Sequence, residues 1–443
     1  MLVRLKKLIY SKNVLELRKI IDELNENDLA ELLSDLSYDD LAKVFRIIPK
    51  DKAVAVFAEF DVVVATNLLR QLSESETVNL IDEMYADDAT DILEEMPANI
   101  VDKILKNCSD ETRKDINKLL KYEEDTAGSI MTVEYVEFNG QTTVKEAVSQ
   151  LENEITYFET INNCYVVDHK RKLYGSIEAT DLLFANENDT IKNVCKTNII
   201  YVSTYTDQEE VAKVFSKYGY ILMPVIDVQH HLLGVIDIDD VMDVIEEETT
   251  EDMNLLGGVG SEERLDSTLT ESFKNRIPWL IVNLFTAIMA SSVVSVFEGT
   301  IAKVVALATI SPIITGMGGN AGSQTQSILV RQLSQDDVSL RKYAKSFIKE
   351  IMLGVVDVAI NGLITGIIVS VIYHNIYLGL IIFIAMIGNL VVAGVFGFLV
   401  PVALKRLGAD PAVSSSIFIT TATDVLGFFI FLGLAQLFLP LLM

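Results

Sequence analysis

The chain has 443 residues, half of them hydrophobic, and a formal net charge of −27 at pH 7. Because nucleic-acid phosphates repel so acidic a protein, the charge argues against nucleic acid as a partner and suits cations or simple solubility. The charge is unevenly distributed: from Pro278 onward eight Lys and Arg accompany seven Asp and Glu, a net charge of +1, so the first 277 residues carry −28. The three cysteines are widely spaced, which indicates a reducing compartment and no metal-site pattern.

The N-terminal region, residues 1–124, repeats every twelve positions. Each unit is apolar at i, i+3, i+4 and i+7, which is one stripe of a helix. A continuous helix would turn this stripe roughly 120° out of phase per unit, so each unit must contain a break. The region is therefore predicted to be an α-solenoid of short helices. One apolar register contains Leu17, Leu29, Leu41, Ala53, Ala65, Thr77, Ala89 and Val101. The predicted helix caps are Asn27, Asp39, Asp51, Ser75, Asp87, Asn99 and Glu111.

Residues 125–247 contain an α/β unit twice, at about 125–187 and 188–247, with equivalent positions 59 apart. Strand-like runs at 163–167 and 222–226 each precede a turn, a second strand and a helix. Both copies resemble a cystathionine-β-synthase (CBS) domain, and such pairs often bind ATP or another adenine nucleotide. Here Glu178 and Asp237 occupy the usual hydroxyl position, and an acid there repels phosphate. The sequence therefore weighs against nucleotide binding and leaves it open.

An acidic stretch follows the second copy, and residues 248–277 are predicted to form an acidic connecting helix. Like charges that pack together cost free energy unless a divalent cation bridges them, and hard oxygen ligands suit Mg²⁺ or Ca²⁺. Asp87 and Asp91, one helical turn apart in the solenoid, are candidate partners across an interface. Two alternatives stay open: a solvated acidic helix, and a capping role for Asp87.

The last part, residues 278–443, is predicted to be an all-α transmembrane domain. Its five spans are predicted at about 278–297, 304–330, 347–373, 377–404 and 412–439. Lys and Arg cluster before the first span, between the second and third, and after the fourth. The positive-inside rule therefore predicts a multi-pass protein of the cell (plasma) membrane with a cytoplasmic N-terminus and an extracytoplasmic C-terminus.

The fifth predicted span carries Asp424 in its middle. Ser416, Thr420 and Thr423 precede it at spacings that predict one polar helical face. An acid at the bilayer centre costs roughly 2.5–3.5 kcal/mol on insertion scales, so it should face a bundle interior or a water-filled path. The two interpretations are an ion pathway and a buried acid that is hydrogen-bonded to a neighbouring helix.

The second predicted span is rich in glycines and amides, and the pore-lining candidates there are Gly318, Gly319, Asn320 and Gln324. Glycines allow helices to approach closely, which explains them as packing residues but leaves the amides unexplained. Asp357 and Asn361 form a second polar pair, for which a structural hydrogen-bonding role is favoured over a pathway role.

At this point the whole chain resembles the MgtE family of bacterial magnesium channels or transporters. The resemblance rests on the domain order and on two motifs, Pro312…Gly318-Gly319-Asn320-Ala-Gly322-Ser-Gln324 and Thr423-Asp424-Val-Leu-Gly427. It implies a homodimer with the pore on its two-fold axis, Asp424 facing the ion, and Mg²⁺ bound at cytosolic acids that shut the pore. The implied regulatory ligands are Asp87, Asp91, Asp207, Glu209, Asp240, Asp243, Glu248, Glu251, Asp252 and Asp410.

This chain departs from the family pattern in two places. Gly219 stands where the family can have an acid, and Ser416 where an asparagine can line the pore mouth. The predicted function is a Mg²⁺-selective channel or transporter for passive uptake, closed by cytosolic Mg²⁺. The alternatives are a transporter of another divalent cation such as Co²⁺, a cation exchanger, or a membrane sensor that moves no ion. An enzyme is not expected, because the sequence shows no nucleophile–base set, P-loop or zinc spacing.

Overall fold

The computed structural model describes residues 1–94, 96–154, 161–265, 267–335, 340–413 and 415–443. It divides into two compact units, Met1–Ile245 and Glu246–Met443, and each is described by itself.

The N-terminal part of the first unit is a series of ten helices of eight to ten residues each. They are α1 (Leu2–Tyr10), α2 (Val14–Glu23), α3 (Glu26–Ser34), α4 (Tyr38–Phe45), α5 (Lys50–Ala58), α6 (Val62–Leu69), α7 (Glu74–Ile81), α8 (Ala86–Glu94), α9 (Ala98–Asn107) and α10 (Asp110–Leu119). The predicted break in every twelve-residue unit is confirmed.

The observed helix caps lie two residues before the predicted ones. Asn25, Ser37, Ser73 and Ser109 precede α3, α4, α7 and α10, and each side chain accepts a hydrogen bond from a backbone N–H in the first turn. The predicted caps, such as Asn27, lie instead in the first turns, where acids and amides also favour the helix N-terminus. The prediction was wrong in register because both positions recur with the same period of twelve.

Two three-stranded sheets follow the solenoid. The first contains β1 (Glu137–Asn139), β2 (Asn163–Val167) and β3 (Leu173–Glu178); the second contains β4 (Val202–Ser203), β5 (Leu222–Ile226) and β6 (Leu232–Asp237). In both, the first strand pairs parallel with the second, which pairs antiparallel with the third. The helices are α11 (Val144–Glu154), α12 (Ala179–Phe184), α13 (Ile191–Val194) and α14 (Gln208–Tyr218).

The hydrophobic core of the solenoid continues into the second α/β copy. One cluster of buried side chains joins Leu33 and Phe57 of the solenoid to Val225 and Ile236 of the second sheet. Lys118 of α10 also donates a hydrogen bond to the carbonyl oxygen of Leu233, at 2.6 Å. The solenoid and this copy are therefore packed against each other in this structure.

The predicted connecting helix 248–277 differs from the observed structure. A single helix, α15 (Ile238–Gly257), begins inside the second α/β copy and ends before Gly258, whose φ of +74° favours glycine. The next helix, α16 (Leu269–Val296), begins with a capping box at Thr268 and contains Pro278 in its interior. The stretch between them is therefore not one helix, and the first long apolar helix starts before position 278.

The rest of the second unit is helical: α17 (Glu298–Lys303), α18 (Ala306–Gln335), α19 (Leu340–Ile372), α20 (Ile376–Arg406), α21 (Ser415–Leu437) and α22 (Leu439–Leu442). Five long helices thus stand where five spans are predicted. Three segments, Leu269–Val296, Ile376–Arg406 and Ser416–Leu437, are long and apolar enough to cross a membrane, judged on the described residues. Glycines and polar residues lower the hydropathy of α18, and the membrane crossings of α18 and α19 stay predictions.

Candidate functional site

The exposed polar face of α21 consists of Ser416, Thr420 and Asp424, which follow one another at intervals of four residues. Thr420 is exposed, and the other two are half-buried. The Thr420 hydroxyl donates to the carbonyl oxygen of Ser416 at 2.8 Å. Thr423 is fully buried and donates to the carbonyl oxygen of Thr420, so the expectation that it shares this face is wrong.

The carboxylate of Asp424 accepts no hydrogen bond from any residue in the described part of the chain, and no cation there pairs with it. A carboxylate that packed structurally against a neighbouring helix would need such a donor. Within this chain, therefore, the geometry favours an acid on an open face over a buried structural acid.

In α18, Asn320 and Gln324 are exposed and lie on one face. A Cβ atom added at Gly316 or Gly319 would meet no atom within 4 Å, so these glycines border open space. Gly318 is placed differently: it is buried, and a Cβ atom there would overlap the side-chain amide of Asn389. The structure thus brings Gly319, Asn320 and Gln324 to the open side of α18 and turns Gly318 towards α20.

The helices α18 and α21 are packed together through a glycine. A Cβ atom at Gly322 would overlap the side chain of Ile419 in α21. Because this glycine permits close approach, the helix with the exposed amides lies beside the helix that carries Asp424.

The polar pair in α19 makes a local contact. The Asn361 amide nitrogen donates to the backbone carbonyl oxygen of Asp357 at 3.0 Å, and the Asp357 side chain is exposed. This contact agrees with the favoured structural role for Asn361.

A second site lies within the first unit, where the solenoid meets the second α/β copy. We call it the acidic cluster; its six carboxylates belong to Glu59, Asp87, Asp88, Glu134, Asp239 and Asp243. Glu134 accepts hydrogen bonds from the Ala86 backbone N–H at 3.1 Å and from the Thr132 hydroxyl at 3.0 Å. The Asp87 atom Oδ1 is buried and has no hydrogen-bond partner among the described residues.

The acidic cluster is electrostatically strained. Burial, and then the nearby charge of Asp88, raise the pKa of Asp87 to about 7. Burial, together with Glu59, Asp239 and Glu134, raises the pKa of Asp88 to about 6. Burial and neighbouring carboxylates also raise the pKa values of Glu59 and Glu134. A divalent cation would relieve this repulsion, so the residues present suit a hard cation.

The described residues do not converge on a complete metal cage: no three His, Cys, Asp or Glu side chains there are close enough together to hold one ion. Mg²⁺ usually keeps several waters and takes only one or two direct carboxylates. The loose spacing of the acidic cluster therefore fits hydrated Mg²⁺ better than a dehydrated ion. Sequence reasoning missed Glu59, Asp88 and Glu134, because acids from separate segments show no common spacing.

The other predicted regulatory residues lie apart from one another along the chain. Asp207 caps α14 by accepting from the Glu209 backbone N–H, and Glu209 pairs with Lys213 at 2.8 Å. Asp410 accepts from the Ala412 backbone N–H at 2.6 Å in the turn before α21. Asp91, Asp240 and Asp243 lie on α8 and α15 in the first unit. The half-buried Glu248, Glu251 and Asp252 lie on the part of α15 that belongs to the second unit.

The two acids at the hydroxyl position of the α/β copies have different surroundings. Glu178 is exposed and pairs with Lys196 at 2.7 Å, so its charge is partly neutralised. Asp237 is buried and accepts from the Ile238 backbone N–H, and burial raises its pKa to about 6.

The end of α15 contacts the long helices within the second unit. Leu255 is buried in a small cluster with Val330 of α18 and Ala412 before α21. Asn254 donates to the carbonyl oxygens of Ser261 and Glu263, at 2.9 and 3.0 Å. This end of α15 is thus packed against α18, which carries candidate pore residues, and against the turn that precedes α21.

Comparisons with known proteins agree with this architecture. The family model MgtE, described as a divalent cation transporter, matches residues 311–434. The model of the MgtE intracellular N domain matches residues 24–125, and the CBS-domain model matches residues 127–188 and 191–247.

Individual proteins are similar over most of the chain. The magnesium transporter MgtE of Enterococcus faecalis is 37% identical over 74% of this chain and 72% of its own length. That of Thermus thermophilus is 34% identical over 74% and 73%. A crystal structure of the cytosolic domain of the Mg²⁺ channel MgtE in complex with ATP superposes with a TM-score of 0.53 at 30% identity, and covers 55% of this chain and 100% of that one. The predicted fold class, an α-solenoid and a CBS pair followed by a helical membrane domain, is confirmed.

Proposed function

The chain belongs to the MgtE family, and we propose that it is a Mg²⁺ channel or transporter for passive uptake, closed by Mg²⁺ bound on the cytosolic side. Family membership places it among transport proteins rather than enzymes. The observation that carries the proposal is Asp424, an acid in the middle of an apolar helix with no donor in the described part of the chain.

The chemistry of Mg²⁺ suits this face of α21. Mg²⁺ demands near-octahedral oxygen ligands and gives up water reluctantly, so a carboxylate with a few hydrogen-bonding groups is sufficient. Asp424 supplies the negative charge, while Ser416 and Thr420 can accept hydrogen bonds from the water shell of the ion. Asn320 and Gln324 on the neighbouring α18 offer further amide groups for the same shell.

Flux into liposomes tests the permeation proposal. Replacing Asp424 with Asn should lower Mg²⁺ entry by more than about tenfold, since removing the carboxylate that faces the ion costs well over about 1.4 kcal/mol. Asp357→Asn is the matched control, because Asp357 is an exposed acid of α19 whose loss should leave flux near wild type. Equal flux in wild type and Asp424→Asn would contradict the proposal.

The same liposomes separate the rival functions. If Co²⁺ or another divalent cation enters faster than Mg²⁺ and outcompetes it, the chain is a transporter of that ion. A dependence of entry on an opposing Na⁺ or H⁺ gradient identifies an exchanger. A reconstituted protein that moves no cation is a sensor.

Mg²⁺ at the acidic cluster is the proposed closing signal. When Mg²⁺ is scarce, the carboxylates of the solenoid and of α15 repel one another and the two parts separate; when it is plentiful, Mg²⁺ bridges them. The orphaned Oδ1 of Asp87 and the raised pKa values of its neighbours support this proposal. The remaining proposed ligands, including Asp91, Asp240, Glu248 and Asp410, would bind further Mg²⁺ ions along the cytosolic part in the same way.

Limited proteolysis of the full-length protein in detergent tests this mechanism. We expect Mg²⁺ to slow cleavage of the wild type. In Asp88→Asn one repelling carboxylate is already gone before Mg²⁺ binds, so adding Mg²⁺ should change the cleavage rate much less than in the wild type. Glu31→Gln, at an exposed acid of α3, should keep the wild-type pattern. Identical patterns with and without Mg²⁺ would count against closure at the acidic cluster.

We also propose that the protein is a homodimer of the plasma membrane, with one Asp424 from each copy facing the ion. The open faces of α18 and α21 support this, since polar side chains at membrane depth need a partner or a water-filled path. Mass measurement of the detergent-solubilised protein would give the oligomeric state. Labelling Met443→Cys with an impermeant thiol reagent would give the side of the C-terminus.

Nucleotide binding by the CBS pair is a lesser proposal. The pairing of Glu178 with Lys196 removes part of the repulsion that the sequence predicts for phosphate. Calorimetric titration with ATP tests it, and Lys196→Gln should weaken any binding that is observed.

A further inference from the structure

Asn389 lies in the middle of α20, an otherwise apolar helix, and only 1% of its surface is exposed. Its Nδ2 atom donates a hydrogen bond to the carbonyl oxygen of Ile314 in α18, at 2.7 Å. Burying an amide is unfavourable unless hydrogen bonds and packing compensate. The hydrogen bond here comes from α18 and the packing from α18 and α21, while the buried Oδ1 atom has no hydrogen-bond partner among the described residues.

Two glycines make the space for this amide. A Cβ atom at Gly318 of α18 would overlap Nδ2, and a Cβ atom at Gly427 of α21 would lie 2.7 Å from Oδ1. Real Cβ atoms essentially never come within 3.0 Å of another heavy atom, so neither position accepts a side chain while Asn389 keeps its place. We call this arrangement, Asn389 between Gly318 and Gly427, the amide clamp.

The amide clamp lies next to the proposed ion path along both helices. Gly427 follows Asp424 by three residues, which is less than one turn of α21. Gly318 directly precedes Gly319 and Asn320, which are on the open side of α18. The clamp therefore fixes the spacing of α18 and α21 at the level of the carboxylate.

We propose that Asn389 is a positioning residue for ion selectivity: it touches no ion, but it sets the distance between the Asp424 helix and the glycine-rich helix. This rests on the proposed function of Asp424. Mg²⁺ requires a tight octahedron, whereas Ca²⁺ accepts six to eight oxygens at longer distances. A change in helix spacing therefore weakens Mg²⁺ passage more than Ca²⁺ passage.

Flux in liposomes made from the full-length protein tests the proposal. Asn389→Ala should lower Mg²⁺ entry about tenfold and lower the ratio of Mg²⁺ to Ca²⁺ entry, because small displacements of positioning groups have large effects. Gly427→Ala should show the same loss. The double variant should recover much of the Mg²⁺ flux lost in Gly427→Ala, because the new methyl group enters space that the amide has left.

Two controls isolate the clamp. Gly433 lies on α21, as Gly427 does, but a Cβ atom added there would meet no atom within 4 Å, so Gly433→Ala is the first control. The second is Asn361→Ala, which removes an amide that donates a hydrogen bond within its own helix. Both should keep the wild-type ion ratio. If Asn389→Ala does not fold, Asn389→Leu keeps the branched shape of the side chain, removes the donor to Ile314, and should show the same loss of selectivity.

An unchanged ion ratio in the folded Asn389 variant, or no recovery in the double variant, overturns the proposal. Wild-type liposomes distinguish this failure from failure of the proposed function. If the wild type moves no divalent cation, the proposed function fails and so does the role of Asn389 in selectivity. The thermal unfolding midpoint of the double variant, Asn389→Ala with Gly427→Ala, then tests whether the amide clamp exists. The clamp is refuted if that midpoint is no higher than the midpoint of Gly427→Ala alone.

Discussion

At Gly219 the backbone geometry explains why the residue is a glycine. It ends α14 with a φ of +66°, and its N–H donates to the carbonyl oxygen of Phe215 at 2.8 Å. A side chain in this left-handed conformation costs roughly 1 kcal/mol. Gly219→Ala should therefore lower the thermal midpoint of the first unit by a few degrees. Ser216→Ala, at an exposed helical position of the same helix α14, should not lower it, and an equal loss in both would refute the argument.

The sequence could predict residues whose chemistry is unusual in their segment, and missed those whose role depends on neighbours. Asp424 stands out because an acid is rare in an apolar run. Asn389 is also a polar residue in an apolar run, but its importance depends on glycines in two other helices, and nothing in its own segment indicates them. Thr423 was assigned to the wrong face because a step of three residues from Thr420 is also compatible with the buried side of α21.

The helix α15 is the element whose ends contact different parts of the molecule. Leu255, in its last turn, is buried against Val330 of α18 and Ala412 in the turn before α21. Leu255→Ala should leave Mg²⁺ protection of the cytosolic region intact, because the acidic cluster is unchanged. It should weaken closure, so that high internal Mg²⁺ no longer stops flux in liposomes. Met253→Ala, on the exposed side of α15, is the control; full closure in both variants would refute this coupling.

Elements were predictable where periodicity was strong. The runs at 163–167 and 222–226 coincide with β2 and β5, and the twelve-residue repeat correctly required short helices. The end of α15 was not predictable from periodicity, because the acidic run continues the helical pattern past Glu251. Its end depends instead on Gly258 and on the hydrogen bonds of Asn254 to the following loop.

At the scale of the whole molecule, the acidic cluster makes stability depend on protons and Mg²⁺ together. The pKa values of Asp87 and Asp88 rise from the ordinary 3.8 to about 7 and about 6 in the folded protein. Between pH 4 and 7 the folded state therefore holds more protons than the unfolded state, and stability falls as pH rises through that window. Without Mg²⁺, the unfolding midpoint of the first unit should be lower at pH 8 than at pH 5.5.

Mg²⁺ competes with protons for the same carboxylates, so it should stabilise the protein strongly at pH 8 and weakly at pH 5.5. The expected loss of stability on raising the pH is a few kcal/mol at most, given about 1.4 kcal/mol per unit of pKa shift. Differential scanning calorimetry at both pH values, with and without Mg²⁺, measures it. Asp87→Asn combined with Asp88→Asn removes the titrating groups and should flatten both dependences. A wild-type midpoint that does not change with pH in the absence of Mg²⁺ would show that these carboxylates do not oppose one another as the structure indicates.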